Sequence, residues 1–212
     1  MRISAMQHAV GGGRAARTSP DMLALLRERT GPSHERLDAA FGSLVLDRRA
    51  DLIRFLSAHA IGLAPLQAVF RRFVEEELGL AAPDYLDMLR DDLHRLGMKS
   101  AALPTLATPP EIAASGSAAG VGYVIAGSRL GLAVIRRQGY WGEQQGFRSR
   151  YMEDDSGPAC WKALLPWLRE HAFTALDCEA VPAAALASFD TFARAFAVSP
   201  AEESLKEMGV DG

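Results

Sequence analysis

The chain has 212 residues, 49% of them hydrophobic and 23% charged, which is enough apolar material for one sizeable core and favours a single domain. Twenty-three basic against 26 acidic residues leave a net charge of −3, which argues against a protein that tracks a nucleic-acid backbone. Cys160 and Cys178 are the only cysteines, too few for a disulfide framework or a cysteine-rich zinc site, so a reducing compartment is expected. The longest uncharged run, Ile112 to Ser128, has 17 residues and is rich in Gly, Ser and Ala, short of the roughly 20 apolar residues of a bilayer span. Together these features predict a soluble, cytoplasmic protein with no membrane or nucleic-acid partner.

Residues 1–19 carry Gly11-Gly12-Gly13 and two nearby arginines but no apolar signal core, and read as a flexible leader. Residues 20–200 then follow a helical period almost throughout. Ser19-Pro20-Asp21 is a helix-start signal. Gly31-Pro32 is expected to interrupt that first helix and open a second, which puts His34 in a first turn on one face with Leu37 and Phe41. The longest pattern runs from Asp51 to Leu78, with Pro65 expected to kink it.

Tyr85 to Leu96 repeats leucines at helical spacing and meets Gly97, a C-terminal stop. Thr108-Pro109-Pro110-Glu111 has the form of a capping box that would launch a helix to about Gln138. Gly139 to Gly157 reads as a loop anchored by Tyr140, Trp141, Phe147 and Tyr151. Helices are expected from Pro158 to His171 and from Pro182 to about Phe196, and residues 201–212 read as a tail. With no alternating strand pattern, the fold class is all-α, a bundle of about six to eight helices.

Two features stand out chemically. The helix after Thr108 contains Gly116, Gly120, Gly122, Gly127 and Gly131, although each interior glycine costs about 0.5–1 kcal/mol relative to alanine. Gly127 and Gly131 are four apart and bare one helix face, either for close helix packing or for a flat, bulky ligand. His34 points inward with Leu37 and Phe41. It reads either as a satisfied core residue or, in a first turn where the dipole disfavours imidazolium, as a neutral iron ligand.

The other histidines have blander readings. His59, between Leu56 and Leu63, fits a core position. His94, which shares its short segment with Asp91, Asp92 and Arg95, reads as solvated, His8 is in the leader, and His171 is a charge partner at a helix C-terminus. Glu75-Glu76-Glu77 reads as a solvated face rather than a metal site, because consecutive helix positions diverge. The Tyr and Trp residues of the 140–167 region read as core and loop anchors. HExxH, Walker, GxSxG and CxxC patterns are all absent from the sequence.

Two segments resemble those of the bacterial, biliverdin-producing heme oxygenase family. Leu26-Arg27-Glu28-Arg29-Thr30-Gly31-Pro32-Ser33-His34-Glu35-Arg36-Leu37-Asp38 is similar to the family's proximal segment. Tyr123-Val124-Ile125-Ala126-Gly127-Ser128-Arg129-Leu130-Gly131 is similar to its distal helix. The resemblance implies a helical bundle with heme b held between the two. His34 would be the iron ligand and Gly127 and Gly131 the distal catalytic glycines. Arg27 and Tyr123 would contact the propionates, with Ser128 joining the heme-contacting set.

The implied activity is oxygen-dependent cleavage of heme, both substrate and cofactor, to biliverdin, iron and carbon monoxide. Electrons would come from a reductase or ferredoxin, and a phytochrome is a conceivable acceptor of the bilin. The chain departs from the pattern at Leu132, where the family has a small residue after the glycine, and at Ala126, which replaces an acid. A non-catalytic heme or tetrapyrrole binder of the same fold is the alternative, followed by a helical domain with another small ligand or an interaction role.

Overall fold

The computed structural model describes residues 21–98 and 103–207. The leader, with His8, therefore lies outside the described residues, as do Ser19 and Pro20 of the first start signal and the end of the expected tail. The described residues form helices without strands: α1 Met22–Phe41, α2 Arg49–Leu63, α3 Gln67–Glu76, α4 Tyr85–Arg95, α5 Pro110–Ala113, α6 Ala118–Gln138, α7 Arg150–Glu153, α8 Gly157–Glu170, α9 Asp177–Val198 and α10 Glu202–Glu207. A 3-10 turn covers Glu143–Gln145.

α9 is the organising element. Its buried stripe of Val181, Ala184, Ala185, Ser188, Phe189, Phe192 and Ala195 packs against α1, α2 and α6, whereas α4 packs on α2, and α8 and α3 pack on α6. Close approach is possible because glycines face α9. A side chain at Gly62 would meet the Phe192 ring, and one at Gly120 would meet the Val181 carbonyl and the Ala184 methyl.

Several boundaries differ from the sequence reading, each for an identifiable reason. α1 runs unbroken through Gly31-Pro32. Proline removes one N–H and displaces the carbonyl four residues back, but that carbonyl belongs to Glu28, and both residues lie on the exposed side of α1, where water can serve it. Thr30, on the buried side, donates its hydroxyl to the Leu26 carbonyl at 2.8 Å. At Pro65 the pattern breaks fully, and α3 leaves α2 at 68°.

The capping box does not form. Pro109 takes the cap position of α5, and the Thr108 hydroxyl lies 3.5 Å from the Pro65 carbonyl. α5 lasts four residues, and the chain turns at Gly116, whose φ of +79° suits glycine, before α6 begins. α9 starts at Asp177, so Pro182 lies within its opening turns rather than at its start. The expected tail begins with α10, whose Leu205 is buried and whose Glu202 accepts from Arg48 at 2.7 Å.

α6 is fixed at its far end by a buried cluster. Arg129, 3% exposed, lies between the Tyr85 and Tyr151 rings at 4.6 Å from each and donates to the Tyr151 carbonyl at 2.7 Å. Asp92, in the same segment as His94, is fully buried. It accepts from the Ser149 hydroxyl at 2.6 Å and from the Arg150 and Tyr151 amides at 2.8 and 2.9 Å, tying α4 to the start of α7. His94 and Glu75-Glu76-Glu77 are exposed, as expected.

The count of uncharged residues understates α6. The helix continues beyond Arg129, and both α6 and α9 have the length and mean hydropathy (1.6 and 1.2 over their best windows) to cross a bilayer. Half of each window is buried inside the bundle, where the apolar surface already has protein partners.

The glycines of α6 now separate into two kinds, with opposite expected responses to alanine. Gly120→Ala drives a methyl into the α9 backbone and should cost about 1–3 kcal/mol. Gly131→Ala meets nothing within 4 Å and should gain up to about 1 kcal/mol from helix propensity. Urea unfolding of the two variants checks this, and an equal response would remove the distinction.

Candidate functional site

Between α1 and α6 lies a cavity of about 520 Å³, lined mainly by apolar side chains and backed by Phe55 and His59 of α2 and by Phe189 and Phe192 of α9. That is a size suited to a small-molecule ligand. Two other clefts, of about 500 and 320 Å³, mix arginines with carboxylates at the surface and lack a comparable apolar wall.

His34, Tyr123, Gly127, Ser128 and Gly131 all line this one cavity, although the first comes from α1 and the rest from α6. Arg27 does not line it. Arg27 is exposed, two turns before His34 on the same side of α1, and makes no ion pair among the described residues.

Because α1 is continuous, His34 lies mid-helix, and the dipole argument for a neutral imidazole does not apply. A different device orients it. His34 Nδ1 lies 3.0 Å from Asp38 Oδ2, one turn on, and the ring meets Phe189 edge-on at 5.7 Å. With Nδ1–H given to the carboxylate, Nε2 is the nitrogen left for a ligand, the arrangement usual for metal-binding histidines. The side chain is 58% exposed, so His34 stands at the mouth rather than in the core.

α6 forms the facing wall. A Cβ at Gly127 would come within 3.3 Å of the Trp161 ring, whereas one at Gly131 would enter open space, so Gly131 presents bare backbone to the cavity. Trp161 is therefore a cavity residue in addition to an anchor, and its ring lies 5.7 Å from that of Tyr123. The Ser128 hydroxyl donates to the Ile125 carbonyl at 2.8 Å, which leaves its oxygen as an acceptor. Leu130 and Val134, 44% and 48% exposed, make an apolar lip. Leu132 is 4% exposed and also lines the cavity, so it belongs to both the wall and the core.

His59 is the residue that sequence reasoning undervalued. It is buried as expected for a core position, but it also lines the cavity, at the end formed by Phe41, Phe55 and Phe192. Helical spacing gave only its burial, because the open side is created by α1 and α9. Burial pushes its pKa from 6.5 down to about 4. As pH falls, the unfolded chain takes up this proton near pH 6.5 and the folded protein only near pH 4. Stability from this group is thus complete above pH 6.5 and falls by about 3 kcal/mol on acidification to pH 4. His59→Phe should be correspondingly less acid-sensitive in urea unfolding, and parallel curves for the two proteins over that range would refute the assignment.

No group of three or more His, Cys, Asp or Glu side chains that could hold a metal ion occurs among the described residues. No protein-family model and no curated protein matches the chain.

Proposed function

We propose that the protein binds heme b in the cavity between α1 and α6 and opens it, with dioxygen, to biliverdin, iron and carbon monoxide. The observation that carries this reading is His34, held through Nδ1 by Asp38 on the rim of a largely apolar cavity whose facing helix is bared at Gly131. These residues suit a flat apolar molecule whose metal already has four ligands and needs one more. Bound heme would supply the iron at which oxygen is reduced.

The chain's own contributions follow from its side chains. His34 offers Nε2 to the iron, and Asp38 keeps the ring in the required tautomer. Gly127 and Gly131 allow the ligand's other face to approach backbone. Tyr123 offers a hydroxyl and Ser128 an acceptor, and Arg27, further along the His34 side of α1, offers positive charge to a propionate. A separate reductase or ferredoxin supplies electrons, the protein works in the cytoplasm without membrane or nucleic acid, and a phytochrome is a natural recipient of the bilin.

Leu132 favours a second reading. A leucine in the cavity wall narrows the space for oxygen and water, which suits a protein that holds heme without opening it. Hemin titration followed by ascorbate under air separates the two. Loss of the Soret band with growth of bilin absorbance supports the oxygenase, a persistent Soret band supports the binder, and no Soret shift on titration overturns both.

A further inference from the structure

His59 carries an inference that rests on, and deepens, the tetrapyrrole reading of the cavity. Its Nδ1 lies 2.8 Å from the Phe55 carbonyl, one turn back on its own helix. A carbonyl can only accept, so Nδ1 bears the proton and Nε2 bears a lone pair. The two ring nitrogens point in nearly opposite directions, so a ring tethered through Nδ1 to α2 turns Nε2 away from α2. No described residue donates a hydrogen bond to Nε2, and the rings around it, Phe41, Phe55, Tyr151 and Phe192, hold it in apolar surroundings. His59 is 8% exposed and lines the cavity, so this unpaired acceptor is open to whatever occupies it.

His34 stands at the cavity mouth, about two helical turns along α1 from Phe41, and Phe41 touches His59 at 4.7 Å. The cavity thus has one histidine at its rim and another at its inner end, each with Nδ1 already engaged. With iron held at His34, His59 at the inner end of the cavity would be left for a group of the ligand other than its metal. Heme has no N–H to offer there, because its four nitrogens are bound to iron. An open-chain tetrapyrrole regains pyrrole and lactam N–H donors.

We propose that His59 Nε2 is a product-binding acceptor, receiving an N–H of a linear tetrapyrrole at the inner end of the cavity, so that the protein retains bilin more selectively than its apolar wall alone would allow.

The test is titration of the full chain and of His59→Phe with biliverdin and, separately, with hemin, followed by absorbance and tryptophan quenching. The expected result is a biliverdin affinity that falls roughly tenfold more in His59→Phe than the hemin affinity does, as loss of one hydrogen bond specific to the N–H donor would give. Equal biliverdin affinity in the two proteins overturns the proposal. Biliverdin binding without hemin binding in the wild type keeps His59's role and removes the oxygenase reading, whereas binding of neither removes both. Should His59→Phe fail to fold, imidazole ¹⁵N spectra of the wild type decide: biliverdin should move the Nε2 resonance of His59 toward a hydrogen-bonded value, and an unmoved resonance overturns the proposal.

Discussion

His34→Ala should leave a folded protein that no longer gives the histidine-ligated hemin spectrum, with that spectrum returning when imidazole is added. The side chain is more than half exposed and its only polar partner among the described residues is Asp38, so removing it should change stability by no more than about 0.5 kcal/mol. Loss of binding can then be assigned to the ligand and not to the fold. Asp38→Ala should act more weakly, lowering hemin affinity about 10–100-fold by releasing the ring orientation. Absorbance titration with and without imidazole makes the comparison. If His59→Ala abolishes the spectrum while His34→Ala leaves it intact, the iron ligand has been misassigned.

Leu132→Ala should produce the opposite combination, a less stable protein with faster chemistry. Leu132 is buried at 4% exposure, so truncation should cost about 2–5 kcal/mol. Because the same side chain lines the cavity, its removal also enlarges the space beside Gly131. Bilin formation under ascorbate should then accelerate several-fold at a temperature where the variant remains folded. Destabilisation without acceleration would make Leu132 a packing residue alone.

The period of apolar residues was sufficient for helices such as α4 and α8, which each bury one stripe, whereas α2 is buried on almost every side and was legible from its apolar run. It misplaced the boundaries where proline and glycine have context-dependent effects. Gly31-Pro32 is harmless because it faces water, whereas Gly116 ends a helix that the sequence pattern ran through. Of the candidate site, the α1 and α6 walls were legible because each carries its residues on one helix. The inner wall was not. His59, Phe189 and Phe192 come from α2 and α9, and only tertiary packing brings them to the same cavity as His34. The burial of Asp92 was not legible for the same reason, its donors being distant in the chain and unannounced by any local pattern.

The position of α9 also bears on how the protein comes into being. Both walls of the cavity hang from a helix near the C-terminal end of the described chain, while His34 lies near its beginning. Contacts of such long sequence separation close late, after the cost of ordering the intervening loop has been met. During synthesis the first eight helices emerge with their inner faces uncovered, and the cavity has no floor until Val198 has left the ribosome. Filling of the cavity by any ligand is thereby deferred until α9 is in place, and a product truncated before α9 should expose apolar surface to chaperones.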